Sequence, residues 1–183
     1  MEEIEYRPSR GFDPQQMAQL ARCDWIRRHL NVIITGPTGT GKSFLALAHK
    51  ACLEGFRARY HRLPRLLEEL SLARADGRYL KLLNQLSKLD VLVLDDWGLI
   101  QLSQPQQEDL FQLLDDRIQK RSTIATSQLP VEHGHQNMAN PTIADALLDR
   151  LVQPAYRIEL KGESLRKRLT KPLKYVKEAS TSG

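Results

Sequence analysis

The stretch GPTGTGKS at residues 36–43 constrains this chain more than any other, because of where it stands. An apolar run, Asn31-Val32-Ile33-Ile34, leads into it, and a helical pattern begins at Ser43. Glycines at 36, 39 and 41 open backbone conformations closed to other residues, so successive amide hydrogens can converge on an anion at a helix amino terminus. Lys42 can reach the terminal phosphates of a polyphosphate, and the Ser43 hydroxyl is placed to ligate magnesium. The run Gly36-Pro37-Thr38-Gly39-Thr40-Gly41-Lys42-Ser43 therefore predicts a nucleotide cradle at a strand-to-helix turn. With it comes a parallel sheet whose strands are joined by crossover helices.

The rest of the chain fits that plan. Short apolar runs alternate with helical patterns, and the expected strands are 31–35, 57–62, 90–94, 122–127 and 156–160. Val91-Leu92-Val93-Leu94 has no polar interruption, which predicts a central strand buried on both faces. Phe44, Leu45, Ala48 and Cys52 repeat at helical spacing, with Gly55 placed to end that helix. Ser103 and Gln106 resemble a capping box ahead of Leu110, Phe111, Leu114 and Ile118. Between 64 and 89, two leucine patterns (Leu66, Leu67 and Leu70, then Leu80, Leu83 and Leu86) break near Asp76-Gly77, one helix more than a minimal crossover needs. The tail after residue 178 reads as disordered.

A chain of 183 residues with 41% apolar content supports one core rather than two. No stretch approaches a membrane span and MEEIEYRPSR lacks the apolar run of a signal peptide, so a cytoplasmic protein is expected. Cys23 and Cys52 form no metal or redox pattern and read as buried free thiols. The net charge of +5 is concentrated in residues 161–177, where seven basic groups meet one acid. Such an end attracts phosphate backbones nonspecifically or serves as a solvated tail.

Three further constellations bear on chemistry. VLVLDDWG ends the central strand with Asp95 and Asp96, and the carboxyl ends of parallel strands border the ligand in this class of sheet. Asp95 would hold magnesium through water, while Asp96 would orient or deprotonate an attacking water. Gln128, just past the strand 122–127, could sense the terminal phosphate or simply form a turn before Pro130. In PTIADALLDRLV a helical wheel puts Arg150 beside Ile143, Ala146 and Leu147, with Asp145 and Asp149 opposite. Such a charge either pairs with an acid of its own chain or projects across a subunit boundary as an arginine finger. His133-Gly134-His135 lacks a third ligand nearby and reads as a loop. Trp25 and Trp97 could stack on bases, although Trp25 follows a packing pattern.

On RGFDPQQMAQLARCDWIRRHLNVIITGPTGTGKS, VLVLDDWG, TIATSQLP and DALLDRLVQPAYRIELKGESLRKR, the chain resembles AAA+ ATPases. It is most similar to the IstB-like transposition helpers and their relatives, the DnaC-type helicase loaders. The resemblance implies an α/β fold: a three-layer P-loop NTPase core with a five-stranded, mainly parallel sheet and no helical lid domain, occupying residues 1–178. It implies an ATPase using ATP and Mg2+, a homo-oligomer on duplex DNA, and an integrase-like transposase as partner. Lys42 and Ser43 match the Walker A lysine and hydroxyl, Asp95 and Asp96 the Walker B acids, Gln128 the sensor, and Arg150 the arginine finger. Arg166 matches a second phosphate-sensing arginine, with Arg168 as its rival. The helix within 64–76 corresponds to an insertion that faces DNA in such assemblies, with Arg65, Arg74, Arg78 and Lys81 on or near it.

The sequence also departs from this pattern. Asp96 stands where many relatives have Glu and Gln128 where Asn is usual, which implies slow turnover with ATP as an assembly switch. About thirty residues precede the P-loop, so the amino-terminal domain of these helpers is expected to be missing, through fragmentation, truncation or loss of a docking function. The rival readings are a helicase loader, a small-molecule kinase, whose arginine-rich lid and acceptor pocket are not found, and a degenerate nonhydrolytic ATP-binding remnant.

Overall fold

A computed structural model of the chain describes residues 14–36, 42–130, 138–153 and 155–160. The elements run α1 (Pro14–Ala21), α2 (Asp24–Arg27), β1 (Asn31–Thr35), α3 (Lys42–Leu53), β2 (Ala58–Arg62), α4 (Leu63–Ala75), α5 (Tyr79–Ser87), β3 (Val91–Trp97), α6 (Gln104–Arg117), β4 (Ser122–Ser127), α7 (Pro141–Val152) and β5 (Ala155–Glu159). The five strands form one sheet in the order β2-β3-β4-β1-β5, and every pairing is parallel.

Alternation along the inner strands builds the three layers. Ile33, Leu92, Leu94 and Ala125 point to one face, where they meet the leucines of α4 to α7. Val32, Ile34, Val91, Val93 and Ile124 point to the other, against Met17, Leu20, Trp25, Leu47 and Ala51 of α1 to α3. Burial on both faces explains the unbroken apolar run of β3. Its register against β4 shifts between Leu94 and Trp97, so the strand continues past the expected end at residue 94 through an irregularity containing both acids.

Local signals act as the residue types require. Ser103 accepts the start of α6, with its backbone N–H donating to Gln106 Oε1 at 3.0 Å, the reciprocal half of a capping box. The helix ends at Arg117, leaving Ile118 just beyond it with extended backbone angles. Asn140 caps α7, its Oδ1 accepting from the N–H groups of Thr142 and Ile143. Gly77, at φ +77°, turns the chain between α4 and α5.

Two helix faces lie differently from expectation. Cys52 is exposed, because α3 buries Leu47, Ala48 and Ala51, which puts residue 52 one step of about 100° off the buried line. Leu45 is correspondingly 47% exposed. In α5, Leu83 and Leu86 are buried while Leu80 faces solvent; Tyr79 and Leu82 take the contacts with the core. Cys23 is buried as expected, and burial pushes its thiol pKa up. Trp25 and Trp97 are both buried rather than available to bases, and the Trp25 indole N–H donates to the Leu20 carbonyl at 3.0 Å.

Sequence pattern did not reveal the buried polar groups that tie the layers together. Arg117, 1% exposed, donates to the carbonyls of Leu86 and Leu89 at 2.7 and 2.9 Å and to that of Ser122. Asp109, also buried, accepts from Tyr79 Oη at 2.7 Å and Arg74 Nε at 3.1 Å. Among the described residues no helix is long and apolar enough to cross a membrane. The expected absence of a lid after β5, the basic segment 161–178, the tail and the His133-Gly134-His135 loop all lie outside the described residues.

Candidate nucleotide site at the carboxyl ends of the strands

The entry to the glycine loop is held by three neighbouring strands. Gly36 N–H donates to the Ser127 carbonyl at the end of β4 (3.0 Å), and Leu160 N–H, just past β5, donates to the Thr35 carbonyl (2.7 Å). A Cβ built on Gly36 would lie 2.7 Å from both Cβ and the carbonyl oxygen of Leu160. Glycine is therefore demanded by close approach of β5 as well as by its backbone angle. Pro37, Thr38, Gly39, Thr40 and Gly41 lie outside the described residues, as do Arg166 and Arg168. Lys42 opens α3 and Ser43 follows in its first turn, the helix position from which amide hydrogens face a phosphate.

The two acids of β3 lie at the same end of the sheet but differ in environment. Asp95 is half-buried and accepts hydrogen bonds from Tyr60 Oη at 2.8 Å and from Thr126 Oγ1. These donors are neutral, and among the described residues Asp95 has no ion-pair partner. Burial, followed by the bond to Asp95 and that carboxylate's charge, pushes the Tyr60 phenol up to about 12, which keeps it a donor. Asp96 takes a left-handed backbone angle, φ +64°, unusual outside glycine. Its Oδ2 accepts from Arg62 Nε at 2.6 Å.

Tyr60, Arg62 and Thr126 join the site beyond the residues that the sequence motifs mark. Their signal was available: β2 pairs with β3 so that Arg62 lies opposite Asp95, and alternation puts Tyr60 on the same face as Arg62.

Gln128 is exposed just past β4 and shares a cleft of about 640 Å³ with Thr35, Gly36, Pro130, Val152, Arg157 and Leu160. Neither acid lines it, so the cleft flanks the loop on the α7 side instead of forming the acid-bearing part of the site.

Arg150 lies elsewhere. Its carbonyl accepts from Asn31 Nδ2 at 3.0 Å, and Asn31 starts the strand whose far end leads into the glycine loop. Four residues of rise put those ends about 13 Å apart. The Arg150 side chain pairs through Nε with Asp115 of α6 at 2.7 Å and stacks over Phe111 at 4.2 Å. Within one chain, the structure gathers Gly36, Asp95, Asp96 and Gln128 at one end of the sheet and leaves Arg150 at the other.

The basic groups near the extra helix are partly committed. Arg74 pairs with Asp109 and Arg78 with Asp76, whereas Arg65 and Lys81 are exposed.

A five-stranded parallel sheet in this order, with a glycine loop after its first strand and paired acids at the carboxyl end of its third, defines a P-loop NTPase core of the AAA+ type. Comparison with known proteins narrows the class. Residues 1–172 match the family described as IstB-like ATP binding protein, and the chain belongs to that family. A putative insertion sequence ATP-binding protein of Sinorhizobium fredii is 51% identical over 168 residues, spanning 91% of this chain and 69% of the relative. The putative ATP-binding protein of an insertion sequence from Pseudomonas fluorescens is 47% identical over 143 residues, spanning 77% and 62%. Among solved structures, DnaI superposes with a TM-score of 0.70 at 20% identity, covering 82% of this chain and 87% of that one. The DnaC helicase loader gives 0.65 at 20% identity, covering 85% and 94%; both show a shared fold. The chain is thus an ATP-binding protein of the kind associated with insertion sequences.

Proposed function

We propose that the chain binds ATP with Mg2+ and hydrolyses it slowly between copies assembled on duplex DNA, in support of an integrase-like transposase. The observation that carries the reading is the division of labour between the acids: Asp95 is oriented by two hydroxyls and makes no ion pair among the described residues, and Asp96 sits beside it in the strand irregularity at φ +64°. A carboxylate held by neutral donors fits a hard divalent ion such as Mg2+, which completes its shell with phosphates and water. When bound, the ion neutralises phosphate charge. In this scheme Gly36 to Ser43 cradle the triphosphate, Asp95 and Ser43 hold the ion, Asp96 orients water, and Gln128 contacts the terminal phosphate from the flank. Arg150 serves a neighbouring copy.

The Arg62–Asp96 pair supports slow turnover, because a carboxylate tied to a guanidinium must be released before it can act on water. Exposed Arg65 and Lys81 give DNA affinity without sequence choice. The test is ATP turnover with and without duplex DNA while assembly size is followed by light scattering. Stimulation by DNA with growth in size supports the reading. ATP binding without phosphate release, even with DNA and transposase present, rejects the hydrolytic part and selects a nonhydrolytic module.

A further inference from the structure

We propose that Asp115 and Phe111 are positioning residues for Arg150: they hold its guanidinium in the pose from which it reaches a phosphate bound by a second copy of this chain. The proposal rests on the shared-site reading above and adds to it a residue set inside the donating subunit.

The contacts divide the guanidinium by edge. Nε donates to Asp115 at 2.7 Å, Nη1 donates to the Ala146 carbonyl one helical turn back at 3.0 Å, and the Phe111 ring covers one face. Among the described residues Nη2 has no hydrogen-bond partner; one of its hydrogens shares the Nε edge that meets Asp115, and the other, at the tip of the guanidinium, remains open. The backbone is fixed as well, because Asn31 Nδ2 donates to the carbonyls of both Arg150 and Leu151 at 3.0 Å. An arginine held at Nε, Nη1 and one face loses little further freedom when Nη2 engages a phosphate. As a stability device the pair is weakly motivated, since Asp115 is 48% exposed and Arg150 24% exposed, and exposed pairs contribute little to folding. Arg150 cannot reach the loop of its own chain from the starting end of β1, so the phosphate it meets belongs to another copy.

The experiment measures ATP turnover of the full chain on duplex DNA for the parent, Arg150→Ala, Asp115→Ala and Asp115→Asn, with thermal midpoints for each. Asp115→Ala should lower kcat about tenfold with KM for ATP within about twofold, at an unchanged midpoint. Asp115→Asn, which keeps an oxygen acceptor for Nε, should recover part of kcat even if Asp115→Ala folds poorly. Mixing Asp115→Ala with Lys42→Ala subunits should restore turnover, because the latter lack a working loop but offer an intact Asp115–Arg150 pair to their neighbours. No rise on mixing, or no recovery with Asp115→Asn at equal midpoint, overturns the positioning role. Loss of turnover in Arg150→Ala beside parental kcat in Asp115→Ala also overturns that role alone. Parental turnover in Arg150→Ala removes the shared-site reading itself.

Discussion

Replacing Asn31 with alanine is expected to destabilise the chain by about 3 kcal/mol. Asn31 is 7% exposed at the start of β1, and its amide makes three bonds between elements. Nδ2 donates to the carbonyls of Arg150 and Leu151, and Oδ1 accepts from Thr123 N–H at 2.9 Å. The two carbonyls belong to the last turn of α7, where helix geometry leaves acceptors without partners. Three bonds at about 1 kcal/mol each give the stated loss, equivalent to about 6–12 °C in Tm for a chain of this size. Asn31→Asp sharpens the test because it preserves size. Its carboxylate still accepts from Thr123 but faces two carbonyl oxygens with no donor, so it should cost at least as much as alanine. Urea unfolding without nucleotide reads the effect as a fall in midpoint at constant slope. If both variants remain within about 1 kcal/mol of the parent, the polar staple is not what joins these elements.

Four other outcomes are expected. Asp96→Asn should keep ATP affinity within about twofold and lower kcat by at least about a hundredfold, while Arg62→Ala should free Asp96 and raise basal turnover severalfold; a fall in the latter would show that Arg62 assists and does not restrain. His61 is buried, and its imidazole pKa is held below the ordinary value by burial first and by the charge of Arg59, despite Glu69 at 3.8 Å; among the described residues its Nε2 has no hydrogen-bond partner. The folded chain therefore keeps His61 neutral while the unfolded chain takes up a proton as pH falls through about 6.5, so stability drops below that pH; His61→Gln should flatten the fall in urea midpoint between pH 7.5 and 5.5, and parallel profiles would refute the assignment. Nucleotide-loaded protein should assemble beyond a pair by light scattering, and a strict two-fold dimer would contradict a head-to-tail contact.

Where local chemistry decides structure, the sequence was informative. β1 and β4 lie at 31–35 and 122–127 because apolar runs stop at a glycine on one side and at Gln128-Leu129-Pro130 on the other. The break at Asp76-Gly77 and the Ser103 cap follow from turn and cap chemistry in the same way. The errors arise where several adjacent apolar residues allow two helix phases: α3 can present Ala48 with either Cys52 or Ala51, and only packing against α1 and the sheet selects the second. β3 runs on to Trp97 because strand irregularities accommodate polar residues that a periodicity rule treats as an end. Least legible were contacts distant along the chain. Asp115 meets Arg150 thirty-five positions away, and Tyr60 meets Asp95 at the same separation, so each pair emerges only after strand order and register are known.

The direction of the strands gives those distant pairs a common logic. In an all-parallel sheet the two ends carry different groups: carboxyl ends collect the loops that bear Gly36, Asp95 and Gln128, and starting ends collect helix C-termini such as that of α7. Asn31 and Thr35 belong to one strand, yet the first anchors the backbone that carries Arg150 and the second leads into the glycine loop. A short rigid strand cannot bring those groups together within a chain, whereas a neighbour stacked end to end can. Buried tethers at the starting end, from Asn31 to α7 and from Arg117 to β4 and α5, keep the geometry of Arg150 coupled to the sheet. On the shared-site proposal, stiffness there supports chemistry carried out elsewhere, because a guanidinium offered to another subunit is useful only if the presenting helix does not yield when it binds.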